Sequence, residues 1–326
     1  MLFNCCFRFS AVSPPSRRAR GSGALLAKAV LFSTLLVSSQ PCPAPAELIS
    51  RNAPADYTAA DRTAILAGIK EIDGPGAPGG VTSFGPAAFA VISGKDGDAL
   101  SPVVAATRFE KGRVAAFGHN GYLDAFDHEE TGALLINAAR WSATAPDGKA
   151  KQKLRAAVLN QPKLAAWLDS RGFNTEPLSG NAWTRQIAGA DVLFCDAHDL
   201  RSGREGGLDD IARFVKSGGG LVIAATGWGW ESTSKGKSLT TDFPANQLLA
   251  PMGLVFNNTT PEKTSDAGFL AATGPGTPFT DASHALDKFL QKSNKPDPAQ
   301  QLQITATLGL AIRSVPPTDT LFRGRL

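Results

Sequence analysis

Cysteine is scarce in this chain, and its distribution is uneven. Cys5, Cys6 and Cys42 fall within the first 46 residues, and Cys195 is the only other one. A domain that begins after residue 46 has a single thiol and no internal disulfide, so its stability has to come from a packed core. Histidine is scarce as well, with four in 326 residues. No two are four apart, the spacing that a His-Glu-x-x-His zinc helix requires. The nearest approach, His128-Glu129-Glu130-Thr131-Gly132, has glycine in the second ligand's place. It reads as a capped, acidic helix start that suits the helix dipole. No serine sits in a Gly-x-Ser-x-Gly elbow, and Phe194-Cys195-Asp196 lacks the flanking glycines that expose a nucleophilic cysteine. Gly218-Gly219-Gly220 enters an apolar run instead of opening a helix. It is a turn and not a phosphate cradle, and no cofactor is expected.

The chain does have an export signal in its first residues. Arg17, Arg18 and Arg20 form a basic region, residues 24–37 are apolar apart from Lys28, and Ala44-Pro45-Ala46 offers a small-x-small cleavage site. The apolar run is shorter than the roughly 20 residues that span a bilayer, so residues 1–46 read as a signal peptide, with a retained anchor as the competing reading. This segment holds five of the 33 basic residues and none of the 29 acidic ones, leaving 28 against 29 in the mature chain. The basic excess belongs to the signal. A nearly neutral mature domain has no electrostatic case for nucleic acid or anionic membrane, and an exported location is expected.

Downstream, residues 58–72 read as a helix with Ile65, Leu66, Ile69 and Ile72 on one face. Strands follow at 87–92, 103–109 and 113–117, the last two joined as a hairpin through Glu110-Lys111-Gly112, with glycine where a positive φ is wanted. Residues 129–141 read as a helix. From 151 the pattern alternates. Strands are expected at 154–159, 173–176, 191–195 and 221–225, and helices at 162–171, 182–187 and 207–216. Apolar strands alternating with helices predict a doubly wound α/β fold with a mostly parallel sheet covered on both faces. The expected divisions are 47–150 (helix, hairpin and helix packing on the sheet), 151–258 (parallel core) and 259–326 (helical extension). A further strand is expected at 253–256, helices at 283–290 and 298–312, and an unpacked tail at 323–326.

Several phrases occur together in a recognisable order. They are Glu71-Ile72-Asp73-Gly74-Pro75-Gly76, Lys111-Gly112-Arg113-Val114, Gly118-His119-Asn120-Gly121-Tyr122-Leu123 and Leu135-Ile136-Asn137-Ala138-Ala139-Arg140-Trp141. Phe214-Val215-Lys216-Ser217-Gly218-Gly219-Gly220, Trp228-Gly229-Trp230 and Phe243-Pro244-Ala245-Asn246 follow. Over residues 58–256 the chain resembles the N-terminal region of the TRP-channel-associated factors and of the related enhancin/mucinase-like zinc metallopeptidases. The resemblance implies a three-layer, class I glutamine-amidotransferase-like fold. It also implies that the peptidase is a separate, later domain, which this chain is expected to end before. His119-Asn120-Gly121-Tyr122 stands where the family usually has His-Glu-Gly-Tyr, so any role of that carboxylate is lost here.

In a parallel sheet the segments leaving the carboxyl ends of strands converge on one edge, where ligands bind. Three such segments carry the residues expected to line a crevice: His119, Asn120 and Tyr122; Asp196 and His198; Trp228 and Trp230. Two indoles spaced by glycine can present flat faces to a sugar or a peptide, and His and Asp can orient hydroxyls. The leading expectation is an exported, non-catalytic recognition domain for glycan or protein surfaces. The alternatives are a hydrolase acting through Cys195 or through a metal held by His119, Asp196 and His198, and a purely structural module.

Overall fold

The computed structural model describes residues 55–144, 153–180, 183–203, 207–272, 277–291 and 295–326. The expected signal peptide lies outside them. Helix α1 (Ala55–Ile65) is followed by β1 (Glu71–Asp73), β2 (Val81–Ser83), β3 (Ala88–Asp96), β4 (Ala99–Phe109) and β5 (Gly112–Phe117), then helix α2 (Glu129–Ser142). The alternating half comprises β6 (Arg155–Leu159), α3 (Pro162–Ser170), β7 (Asn174–Leu178), β8 (Val192–Asp196), α4 (Leu208–Lys216) and β9 (Gly220–Ala224). Beyond it come α5 (Gly227–Thr233), α6 (Leu239–Asp242), α7 (Pro244–Leu249), β10 (Leu254–Phe256), β11 (Gly268–Leu270), α8 (Ala282–Leu290) and α9 (Pro298–Ser314).

Seven strands form one sheet in the order β3-β4-β5-β9-β8-β6-β7. The pairings β5–β9, β9–β8, β8–β6 and β6–β7 are parallel, and β3–β4 and β4–β5 are antiparallel. The fold is mixed α/β with a mostly parallel sheet, as the alternation predicts. The hairpin is no appendage, however: β5 joins the sheet's antiparallel and parallel parts. Its short apolar run Val114-Ala115-Ala116-Phe117 is fully buried, which suits an interior strand rather than an edge.

Alternation along the parallel strands divides the core. Val192 and Phe194 join one apolar cluster with Ile65 of α1, Leu134 of α2 and Leu164 of α3. Leu193 and Cys195 join another with Ile211 of α4 and Leu248 of α7. A strand's side chains point to opposite faces in turn, so a run without polar residues buries both faces.

Several elements differ from expectation. The helix at 58–72 ends at Ile65, because Gly68 takes φ +75° and turns the chain. Ile69 and Ile72 remain buried, but Ile72 lies in β1, paired with Phe269 of β11. In the hairpin the positive φ (52°) falls on Glu110, not Gly112. Gly112 instead admits a close neighbour, since a Cβ there would lie 2.1 Å from the Val215 carbonyl oxygen. The strand expected at 253–256 leaves the main sheet and pairs antiparallel with β2. The segment at 182–187 forms 3₁₀ turns at Trp183–Arg185 and Ile187–Gly189. Of residues 323–326, Gly324, Arg325 and Leu326 are exposed, as expected, but Arg323 is half-buried and donates to the carbonyls of Val315 and Ile312, and the preceding Phe322 is buried in one cluster with Phe84. Among the described residues no helix is long and apolar enough to cross a membrane.

Candidate functional site

The three connections expected to converge do converge. Gly118 leaves β5 by donating its N–H to the Val103 carbonyl, and its own carbonyl accepts from Gly79 at 2.7 Å. A Cβ on Gly118 would lie 2.0 Å from the Gly79 oxygen, so this position admits only glycine. His119 then caps a 3₁₀ turn at Asn120–Leu123, its Nδ1 accepting the Gly121 N–H at 2.8 Å. In the neutral ring the proton therefore sits on Nε2. Burial lowers the His119 pKa, the field of His198 lowers it further, and Asp196 opposes both.

Asn120 reaches across 76 positions of sequence. Its Nδ2 donates to Asp196 Oδ2 at 3.1 Å, and its Oδ1 accepts from Thr226 Oγ1 at 3.2 Å. It thus ties the ends of β5, β8 and β9 together. The other Asp196 oxygen accepts the His198 backbone N–H at 2.9 Å and pairs with His198 Nδ1 at 2.7 Å. Burial alone would raise the Asp196 carboxyl, but these bonds and the Asn120 amide hold it below its ordinary value. A carboxylate fixing an imidazole in this way orients the ring and leaves its Nε2 available.

The Trp228-Gly229-Trp230 segment is helical, lying in α5, rather than an open loop. Both indoles are half-buried. Trp228 Nε1 donates to the Ala77 carbonyl at 3.1 Å, pinning the Gly/Pro-rich loop that precedes β2. The Trp230 ring lies 4.9 Å from the Phe243 ring, which also approaches His198 at 6.0 Å. Phe243 also packs on Phe256, with ring centroids 6.1 Å apart, and the buried Asn246 bonds the Leu239 carbonyl and both backbone groups of Phe256.

Tyr122 does not face this crevice. It is fully buried against Phe117, with ring centroids 5.6 Å apart, because the 3₁₀ turn rotates its side chain into the core. Its hydroxyl has no partner among the described residues, and burial pushes its pKa far above the ordinary range. Thr226 joins the network although no motif singles it out. Its signal is positional, as it follows directly on an apolar strand.

The catalytic alternatives lack their parts. Cys195 is fully buried in the cluster with Ile211 and Leu248, and burial drives its thiol well above the ordinary range, the reverse of an activated nucleophile. Among the described residues no group of three or more His, Cys, Asp and Glu is placed to hold a metal ion. His128 stands at the start of α2 without a side-chain cap bond. Glu130 instead accepts the N–H groups of Lys70 and Glu71 at 2.6 and 2.7 Å, which lowers its pKa and tethers β1. A Cβ on Gly132 would meet the Phe126 carbonyl at 2.3 Å, so packing excludes a second histidine there.

The family described as TRPM8, N-terminal domain, matches residues 43–268. Bovine TRPM8 channel-associated factor 2 is 31% identical over 196 residues, covering 60% of this chain and 19% of that protein. The zebrafish TRPM8 channel-associated factor homolog is 27% identical over 203 residues, covering 60% and 20%. The chain spans about a fifth of these relatives. Among solved structures, IMPa from Pseudomonas aeruginosa in complex with an O-glycopeptide superposes with a TM-score of 0.46 at 14% identity, over 75% of this chain and 26% of that one. With the family matched from residue 43 to residue 268, through every strand that builds the cluster, this chain belongs to the TRPM8 N-terminal domain family.

Proposed function

We infer that the chain is an exported, non-catalytic recognition domain that docks a protein or glycan surface against the carboxyl edge of its sheet. The observation that carries this reading is the Asn120-centred network. It gathers three sequence-distant connections into one half-buried polar patch beside two half-buried indoles. A rigid polar patch flanked by Trp suits binding more than turnover. The relatives' name, channel-associated factor, supports a protein partner. The Trp pair and the Asp196–His198 pair support hydroxyl-rich ligands. The division of the core between two helical sets supports the three-layer, doubly wound, amidotransferase-like form of the fold. The test is a binding screen of the chain against mucin-type glycoproteins and their deglycosylated polypeptides, repeated with Trp228→Ala and Trp230→Ala.

A second reading is a hydrolase in which His198, oriented by Asp196, activates water. Ester or peptide hydrolysis that disappears in Asp196→Asn, with folding intact, would establish it in place of the first.

A further inference from the structure

A cavity lies at the end of the sheet opposite the Asn120 network. It measures about 550 Å³ and is walled by Arg113, Arg140, Trp141, Leu154, Arg171 and Phe173, with Asp61 also in its lining. Arg113 lies near the start of β5, Leu154 just before β6 and Phe173 just before β7, so the cavity sits at the amino ends of these strands. Six residues of extended chain separate Arg113 from His119, roughly 20 Å at the usual rise. The volume is of the size that takes small ligands.

Arg113 is only 8% exposed, yet its charge has no carboxylate partner among the described residues. Its cross-strand neighbour is Arg108, and Asp61, the acid nearest both, is taken by Arg108 through two bonds of 2.6 and 2.7 Å. Of the five N–H donors on a guanidinium, Arg113 uses one among the described residues, on the Trp141 carbonyl at 2.8 Å, and its Cζ lies 5.4 Å from the Trp141 ring. Burial pulls its pKa down and Arg108 adds to this, with Asp61 only partly opposing. Arginine does not give up its proton in response, so the folded chain carries a buried cation that Asp61 compensates only in part. The Trp141 Nε1–H in the same wall is also buried without a partner among the described residues. Arg140 and Arg171 add two exposed cations, neither ion-paired among the described residues. The wall therefore offers donors and positive charge, and its apolar part is supplied by Trp141, Leu154 and Phe173.

We propose that this cavity binds a small organic carboxylate on an apolar or aromatic body, with the Arg113 guanidinium taking the carboxylate and the Trp141 and Phe173 side chains covering the body. A carboxylate matches the planar fork of arginine with two parallel hydrogen bonds, and the apolar lining favours an organic anion over an inorganic one.

The test is titration of the full chain with benzoate, followed by calorimetry and intrinsic fluorescence, with benzamide and inorganic phosphate as controls. Saturable benzoate binding is expected, with benzamide and phosphate each at least about tenfold weaker. Arg113→Gln is expected to lower benzoate affinity by at least tenfold. If that variant does not fold, the exposed double variant Arg140→Ala/Arg171→Ala decides, with a several-fold loss of affinity at unchanged thermal stability. Absence of saturable benzoate binding overturns the proposal. So does equal binding of benzamide or phosphate, or full affinity in a folded Arg113→Gln chain or in the double variant.

Discussion

Asn246→Ala should be among the most damaging single substitutions in this fold, and its cost can be worked out bond by bond. The side chain is fully buried and makes three hydrogen bonds to backbone: Nδ2 to the Leu239 carbonyl and to the Phe256 carbonyl, both at 2.9 Å, and Oδ1 from the Phe256 N–H at 2.8 Å. Truncation leaves one backbone donor and two acceptors without these partners in a site too buried for water to replace them. A stranded buried donor costs about 1–3 kcal/mol, and each carbonyl, with its second lone pair, costs about 1 kcal/mol. The total is roughly 3–5 kcal/mol. Urea unfolding monitored by circular dichroism would read it as a lowered midpoint at unchanged slope. Asn246→Asp keeps the acceptor for Phe256 but turns an anionic oxygen toward two carbonyls, so its penalty should exceed that of alanine at pH 7 and shrink toward pH 4. A loss below about 1 kcal/mol for Asn246→Ala would refute the reasoning, because water or a rearranged α7 would then satisfy the same groups.

Three further outcomes are expected. Asp281 is buried, and burial pushes its carboxyl up to about 6 against the opposing influence of His284. A folded-state value above the unfolded one contributes stability at low pH that is lost as pH rises through about 6. Asp281→Asn keeps an oxygen for the His284 N–H that starts α8. It should therefore gain about 3 kcal/mol at pH 8, roughly half of that at pH 5 and nothing near pH 3, and equal effects at pH 3 and pH 8 would contradict this. Tyr122→Phe removes a buried hydroxyl that has no partner among the described residues, so the melting temperature should stay level or rise, equivalent to 0 to about 1 kcal/mol; a drop of several degrees would mean that the hydroxyl is used. Cys195 should resist iodoacetamide in the folded chain and react only on denaturation, with thiol labelling followed by mass spectrometry as the check. Rapid labelling of Cys195 in native conditions would reopen the thiol mechanism.

The parallel half of the fold was legible because its strands, apart from the polar edge strand β7, are short apolar runs bounded by clear stops. Pro162 opens α3, and the positive-φ glycines Gly172 and Gly218 follow α3 and α4. What escaped has physical causes. Ile69 and Ile72 continue the helical spacing of α1 beyond its end, so β1 could not be separated from the helix by periodicity alone. β2 is three residues long, too short to display a period, and it exists because β10 pairs with it from 170 residues away in sequence. Phe322 is a lone aromatic near a basic end, and nothing local reveals that Phe84 and Leu286 wait for it.

The site divides in the same way. His119, Asn120, Asp196 and His198 could be placed together from topology, since each follows a strand at the same edge. Tyr122 could not be separated from them by position, because a 3₁₀ turn decides which way it points. The role of Trp228 as a pin for the Ala77 loop depends on a carbonyl 151 positions away. The cavity at the other end was invisible because Arg113 reads locally as a basic strand flank. Only the pairing of Asp61 with Arg108 shows that its charge is in part left over.

On the proposed function, ligands meet the carboxyl edge of the sheet. The most direct measurement is the affinity of the chain for a mucin-type glycoprotein and for its deglycosylated polypeptide, in wild type, Trp228→Ala, Trp230→Ala and His198→Ala. The expected result is saturable binding of one of the two, weakened at least tenfold by either Trp substitution while the fold is retained. Affinity unchanged in all three variants, or no binding of either ligand by the wild-type chain, would contradict it.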